Sequence, residues 1–344
     1  MVWFCFALFS ATFVAGSGGW ATSCTGNLFR GTAAATFLTI DGSISNCYVL
    51  ADHASSNPHY ISVLNSTSNR STTINNCIFE YTGTDVTGDC VLLGSPSSAC
   101  TATITNCIKL PNSAGTSSGT PVSALGNANV TCVAEHNTYH LGGGVDSSGV
   151  RANGTYSPHA GMFSSIRSDL SWDTSARGYV FSNMTAVPTN NDVITGANLD
   201  YNGKYNVATG AGNTINGSAG QSLDGYQNLK ITASPGARDV TGDPQFVDKT
   251  RNLATWGQIT QGADGTVAGA LAKIAANPAL IYSASDGTTL IPWVRAGFTP
   301  TNTAYRGTAH DAGDIGAVTM ARGATHPGAN GRTGDGYLNG RVNG

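Results

Sequence analysis

A four-residue word sets the limits on what this chain can become. Ile44-Ser45-Asn46-Cys47 returns as Ile74-Asn75-Asn76-Cys77 and again as Ile104-Thr105-Asn106-Cys107, at intervals of 30 residues. A fixed period of that size marks a stacked array in which each copy is one structural unit resting on the next. The words between the copies recur as well, since Ile61-Ser62-Val63-Leu64 maps one period later on Val91-Leu92-Leu93. Each period therefore holds at least two apolar strands. A length of 344 residues would ordinarily mean about two domains, but an array grows along its axis and length then says little.

Within the word, Asn is the informative residue, because it tolerates left-handed backbone and its side chain bonds nearby backbone at turns. With Asn46, Asn76 and Asn106 at corners, the in-and-out alternation resets, so that Ile44, Cys47 and Val49 point inward, as do Ile74, Cys77 and Phe79. Ile104 and Cys107 follow the same rule. Lys109 falls where Phe79 stood, and Leu110 is expected to replace it. Strict alternation without a reset would bury the Asn and expose a column of Cys, which is disfavoured. The corner amides are then expected to satisfy one another along the axis.

The chain has eight cysteines. Cys47, Cys77 and Cys107 fall on one equivalent position and read as a ladder of small buried thiols, although vertical neighbours about 4.8 Å apart could in principle be bridged. Cys90 and Cys100, which flank a Gly-Ser-Pro-Ser-Ser loop, are the best disulfide candidates, and whether Cys5 and Cys24 pair is left open. No Cys/His spacing of zinc-binding type occurs.

Residues 1–30 are apolar at their start, with Trp3, Phe4 and Phe6, but no Lys or Arg precedes Arg30 as a secretory leader would require. They read as an N-terminal cap or the first strands. After Leu125 the period loosens: Val130-Thr131-Cys132-Val133 reads as a shifted copy 25 residues after Cys107, followed by Glu135-His136-Asn137-Thr138-Tyr139-His140. The Gly- and Ser-rich stretch 142–177 is expected to leave the array as a lateral insertion, a place where binding loops are often found. Beyond residue 250 the pattern becomes helical once, where Asp264 offers an N-cap and Val267, Leu271 and Ile274 recur before Pro278. Residues 251–320 thus read as a cap containing one short α-helix. Residues 321–344 read as an extended Gly-rich arm.

The Asn-Cys-apolar words between Gly/Ser/Asn-rich loops resemble those of right-handed parallel β-helix proteins of the pectate-lyase-like type, over about residues 35–250. Asp243-Pro244-Gln245-Phe246-Val247-Asp248 paired with Asp314-Ile315-Gly316-Ala317 resembles the ends of many bacterial and bacteriophage β-helix proteins. The Val294-Arg295-Ala296-Gly297-Phe298 word is similar, more narrowly, to β-helix proteins encoded among tailed-bacteriophage structural genes. The resemblance implies an all-β fold, a right-handed parallel β-helix solenoid over residues 31–250. It also implies a non-enzymatic virion protein (tail spike, fibre or surface decoration) whose partners are other virion proteins, copies of itself and host-surface polysaccharide. A secreted polysaccharide lyase or hydrolase, or a bacterial adhesin, is the alternative on the same fold.

The chemistry legible in the residues points the same way. Charged residues are 11% of the chain against a typical ~25%, and a net charge of −3 offers no basic footprint for nucleic acid. No stretch reads as a membrane span. Glycosidases need two carboxylates about 5 Å or about 6.5–9.5 Å apart, whereas Glu80 and Glu135 stand alone and Asp243 precedes Pro, where it fixes a turn. On one strand His136 and His140 would share a face roughly 13 Å apart, too far for one ion, and His310 with Asp311 reads as terminal packing. No catalytic residue, metal ligand or cofactor is therefore assigned. The aromatics Trp256, Trp293 and Phe298, with the N-terminal Trp3, Phe4 and Phe6, are the candidates for an assembly interface.

Overall fold

The computed structural model describes residues 4–6, 13–15, 19–31, 38–52, 61–63, 71–82, 91–93, 100–111, 122–125, 130–140, 150–153, 163–172, 179–182, 199–205, 214–215, 218–219, 221–223, 226–229 and 238–318. Strands dominate the first part and run parallel in two large sheets, save for Gln221–Leu223, which pairs antiparallel with Tyr226–Leu229 at one edge of the larger sheet. The larger sheet consists of two ribbons. One carries Ile61–Val63, Val91–Leu93, Val122–Leu125, Val150–Asn153 and Tyr179–Ser182, and the other Ser71–Asn75, Cys100–Thr105, Val130–Glu135, Phe163–Arg167 and Leu199–Asp200. Leu38–Ser45 is long enough to pair with both and joins them. A third ribbon forms the second sheet, through Leu28–Gly31, Tyr48–Ala51, Ile78–Tyr81, Ile108–Lys109, Thr138–His140, Leu170–Trp172, Gly203–Tyr205 and Val240–Thr241. The N-terminal stretch supplies strands here, with Phe4–Phe6 pairing to Gly19–Thr25 and Phe13–Ala15 to Leu28–Gly31. Trp3 lies outside the described residues, as do Cys90 and 319–344.

Register follows the repeated word. Ile44 pairs with Ile74 and Ile74 with Ile104, and the column continues through Ala134, Ile166 and Leu199. Cys132 is not a shifted copy of Cys107; it pairs with Ala102. The 30-residue register runs on unbroken, so that Asn137 occupies the Cys107 position, its side chain meeting the Cys107 backbone. Within 142–177, expected to leave the array, the described strands belong to it. Val150–Asn153, Phe163–Arg167 and Leu170–Trp172 each pair with strands on either side. The period was hidden there because spacing widens and a bulge interrupts the register between Cys132 and Val133.

The C-terminal part contains three α-helices where one was expected: α1 (Leu253–Gln261), α2 (Val267–Ala276) and α3 (Leu290–Gly297). Asn252 caps α1 in a capping box closed by Thr255, a residue whose hydroxyl stands in for the usual Glu or Gln. Thr266, not Asp264, caps α2 by accepting from Gly269 N–H, while Asp264 accepts from the N–H and hydroxyl of Thr266. In α3, Pro292 sits in the first turn, where a missing N–H costs nothing.

These helices do not close an end of the array. They lie along the outer face of the third ribbon, where Leu28, Tyr48, Leu50, Ile78, Ile108, Leu110 and Trp172 pack against Leu253, Trp256, Ile274, Ile291, Val294 and Phe298. Alternation explains this. Cys47, Val49, Cys77 and Phe79 are buried on one face of the ribbon, and their neighbours Tyr48, Leu50 and Ile78 form an equally apolar opposite face that needs a cover. Trp256, Trp293 and Phe298 are accordingly buried inside the protein and are not an exposed assembly surface. Lys109 pairs with Phe79 and keeps its register position, buried, with its ammonium donating to His140 O at 2.9 Å, while Leu110 joins the outer cluster.

Two residues secure the cover. Arg295 of α3 donates to Asn106 O and to Ala317 O, both at 2.6 Å, tying a corner of the ribbons to the closing segment. Gly203 admits the closing segment itself, since a Cβ there would lie 2.6 Å from Tyr305 Cε1 and 2.7 Å from Leu170 Cδ1. Gly203→Ala is therefore expected to cost about 1–3 kcal/mol by overpacking. Arg295→Ala, which removes the guanidinium donated to both carbonyls, is expected to cost about 2–4 kcal/mol. Urea unfolding monitored by tryptophan fluorescence measures both.

Candidate functional site

The repeated Asn occupies the corner between the second and third ribbons. Asn46, Asn76 and Asn106 adopt φ values of 52°, 59° and 56°. The same left-handed turn continues at His136 (57°), Ser168 (60°) and Tyr201 (61°); His shares the tolerance of Asn for that region, whereas Ser and Tyr do not. Tertiary hydrogen bonds impose it: Asn46, Asn76, Asn106 and His136 each donate their backbone N–H to a carbonyl of the next strand layer, at 3.0–3.3 Å. The corner amides interlock less regularly than expected. Asn76 donates to Asn46 Oδ1, but Asn106 turns to Asn75 Oδ1 at 3.0 Å.

One step past the corner runs a second column, Asn27, Cys47, Cys77, Cys107, Asn137, Asp169, Asn202 and Asp239. The thiols are buried, and burial together with the adjacent sulfurs pushes Cys77 well above the usual thiol range. Cys24 and Cys132 are buried too, and the side chain of Cys5 lies outside the described residues. From Asn137 onward, amide and carboxyl oxygens take over. Cys107 N–H donates to Asn137 Oδ1 (2.8 Å), Asn137 N–H to Asp169 Oδ1 (2.7 Å), Asp169 N–H to Asn202 Oδ1 (3.0 Å) and Asn202 N–H to Asp239 Oδ1 (2.8 Å). Each oxygen satisfies an N–H that the corner turns away from the ladder, as buried donors require. The switch from Cys to Asn and Asp hid this continuation in the sequence.

Against the corner at His136 the closing segment brings its own side chains. His136 Nε2 lies 3.1 Å from Asp311 Oδ2, and its Nδ1–H donates to Asp314 O at 3.3 Å. The His136 and His310 rings sit 5.2 Å apart. Ser168 Oγ accepts from the His310 backbone N–H at 3.0 Å and lies 2.9 Å from its Nδ1. Glu135 Oε2 is 3.6 Å from His310 Nε2, while Oε1 pairs with Arg167 at 3.0 Å. One donor atom each from His136, His310 and Asp311 falls within a sphere where all separations are under 4.8 Å. His140 takes no part; it is buried edge-on against Trp172 at 4.8 Å, and burial beside Lys109 holds its imidazole down at about 3.

Ser168, His310 and Glu135 form a chain of contacts with the outline of a nucleophile relay. Ser168 is completely buried and its oxygen is engaged by the His310 N–H, so no substrate carbonyl can approach it. The carboxylates of the ribbons are similarly occupied. Glu80 accepts from Tyr48 Oη and from Leu253 N–H at the start of α1, Asp52 pairs with Arg30, and Asp200 takes the N–H of Arg238. Asp243 accepts from Gln245 N–H in the turn before the helices.

No protein-family model matches the chain, and no curated protein matches it.

Two of these carboxyls make stability depend on pH. Burial raises Asp169 from 3.8 to about 8 and Glu80 from 4.5 to about 7. The folded state therefore keeps protons that the unfolded chain releases. Their contribution is intact below the unfolded values and is lost as pH rises through the folded ones. Above about pH 7, where His140 is neutral in both states, unfolding free energy is expected to fall as pH rises to about pH 8, at ~1.4 kcal/mol per pKa unit. Asp169→Asn with Glu80→Gln is expected to flatten that slope, as read from urea titrations across the range.

Proposed function

We propose that the chain is a right-handed parallel β-helix solenoid of the pectate-lyase-like kind, acting as a non-enzymatic structural protein of a tailed-bacteriophage virion: a tail spike, fibre or surface decoration. The observation that carries the non-enzymatic reading is the use of its carboxylates. On the described ribbons Glu80, Glu135, Asp169 and Asp200 are held by backbone or by Arg and Tyr side chains of neighbouring layers, instead of converging on an open groove. Acid–base work on a glycan needs a pair of carboxyls facing the bond.

The fold reading is supported by parallel ribbons whose register repeats from layer to layer and by the left-handed corner column that turns the chain between them. Virion membership is supported by the words that resemble phage proteins. The same words do structural work, because Arg295 and the segment around Ile315 and Ala317 hold the helical cover onto the ribbons. A rod so covered buries its backbone hydrogen bonds and resists proteases, as a particle exposed outside cells needs. Its neutral Ser, Thr and Asn side chains suit host-surface polysaccharide or neighbouring copies. Among the described residues no helix is long and apolar enough to cross a membrane.

Mass spectrometry of purified phage particles is expected to find the chain in fixed stoichiometry, with electron microscopy placing it on the tail or surface. Absence from particles, or release of reducing ends or unsaturated sugars from a polysaccharide by the purified chain, would overturn the reading in favour of a secreted enzyme or adhesin.

A further inference from the structure

The geometry points to a site for one divalent cation of the zinc class, held by Nε2 of His136, Nε2 of His310 and Oδ2 of Asp311. The ion would clip the corner of the ribbons to the closing segment. The donor set is the first reason. Two imidazoles and one carboxylate are the ligands that borderline first-row ions prefer, whereas calcium and magnesium take oxygen. Spacing is the second. Zinc at about 2.0–2.1 Å from each ligand sets tetrahedral edges of about 3.3 Å, and His136 Nε2 already lies 3.1 Å from Asp311 Oδ2. The other separations, all under 4.8 Å, close by small ring rotations.

The third reason is how the rings are held. A metal-bound imidazole characteristically engages an oxygen through its other nitrogen, which fixes tautomer and orientation. His136 does so through Nδ1–H to Asp314 O at 3.3 Å, and His310 through Nδ1, 2.9 Å from Ser168 Oγ. Both rings thus carry the outer contact that directs Nε2 inward. Glu135, at 3.6 Å from His310 Nε2 and paired with Arg167, stands beside the site as a further carboxylate. Asp311 has a side chain 44% exposed, which opens the site to solvent and leaves a fourth position for water.

Because His136 and His310 lie far apart in the chain, an ion joining them ties the end of the cover to the ribbons and adds its binding energy to the folded state alone. The test uses the full chain after dialysis against a chelator, titrated with zinc chloride by calorimetry and with cobalt chloride by visible absorption. Expected are one zinc per chain, a melting temperature that rises until one equivalent is added, and cobalt bands of a nitrogen–oxygen tetrahedral site. Asp311→Asn is expected to bind zinc at least tenfold more weakly, and Ser168→Ala, which removes the outer contact to the ring together with the acceptor of the His310 N–H, roughly 10–100-fold more weakly. Circular dichroism checks that both variants keep the fold. Three results would each overturn the site: no saturable zinc binding, an equal thermal shift in Asp311→Asn, or intense sulfur-to-cobalt absorption showing that the buried thiols take the ion. Calcium or magnesium binding as tightly as zinc would do the same.

Discussion

The structure depends on how the backbone turns from the second ribbon to the third. A sharp corner removes residues from the ladder, and each N–H it frees must find an acceptor without water. Left-handed backbone at Asn46, Asn76, Asn106, His136, Ser168 and Tyr201 makes the turn tight, and layer-to-layer bonds from Asn46, Asn76, Asn106 and His136 keep it stacked. Side-chain oxygens of Asn137, Asp169, Asn202 and Asp239 then catch the next N–H in line. Tyr201 at φ 61° carries a strain of about 1 kcal/mol or more, tolerated because neighbouring layers over-determine the turn.

A second constraint follows from the period-two geometry of strands. Tyr48, Leu50, Ile78 and Ile108 alternate with the buried residues of the opposite face, so the third ribbon is apolar on both sides. The chain solves this with its own C-terminal part, laid lengthwise across the layers. The cover brings polar groups into the same dry space, where Arg295 meets two carbonyls and Glu80 meets Tyr48 and the start of α1. These pairings select one position for the helices, where apolar contact alone would permit sliding.

The cluster at His136 belongs to the seam where the cover meets the corner column. His136 and Ser168 come from the ribbons, His310, Asp311 and Asp314 from the closing segment. His136, His310 and Asp311 lie near enough to share one ion, with His136 buried and Asp311 open to solvent, and Ser168 beside them is completely buried.

The 30-residue word by itself determined the parallel strands, the inward Ile and Cys columns and the left-handed Asn corners, because those depend on local backbone preference and on period. It did not show that Asn137 and Asp169 continue the Cys107 column, since a position defined by its hydrogen bonds can be filled by a thiol, an amide or a carboxyl. Only tertiary structure decided that Val150–Asn153, Phe163–Arg167 and Leu170–Trp172 are strands of the array, that three helices cover a flank, and that Trp256, Trp293 and Phe298 are internal. Only it brought His136 to His310. Long-range packing sets these features, and residues 174 positions apart leave no shared pattern in one sequence for their contact to be read from.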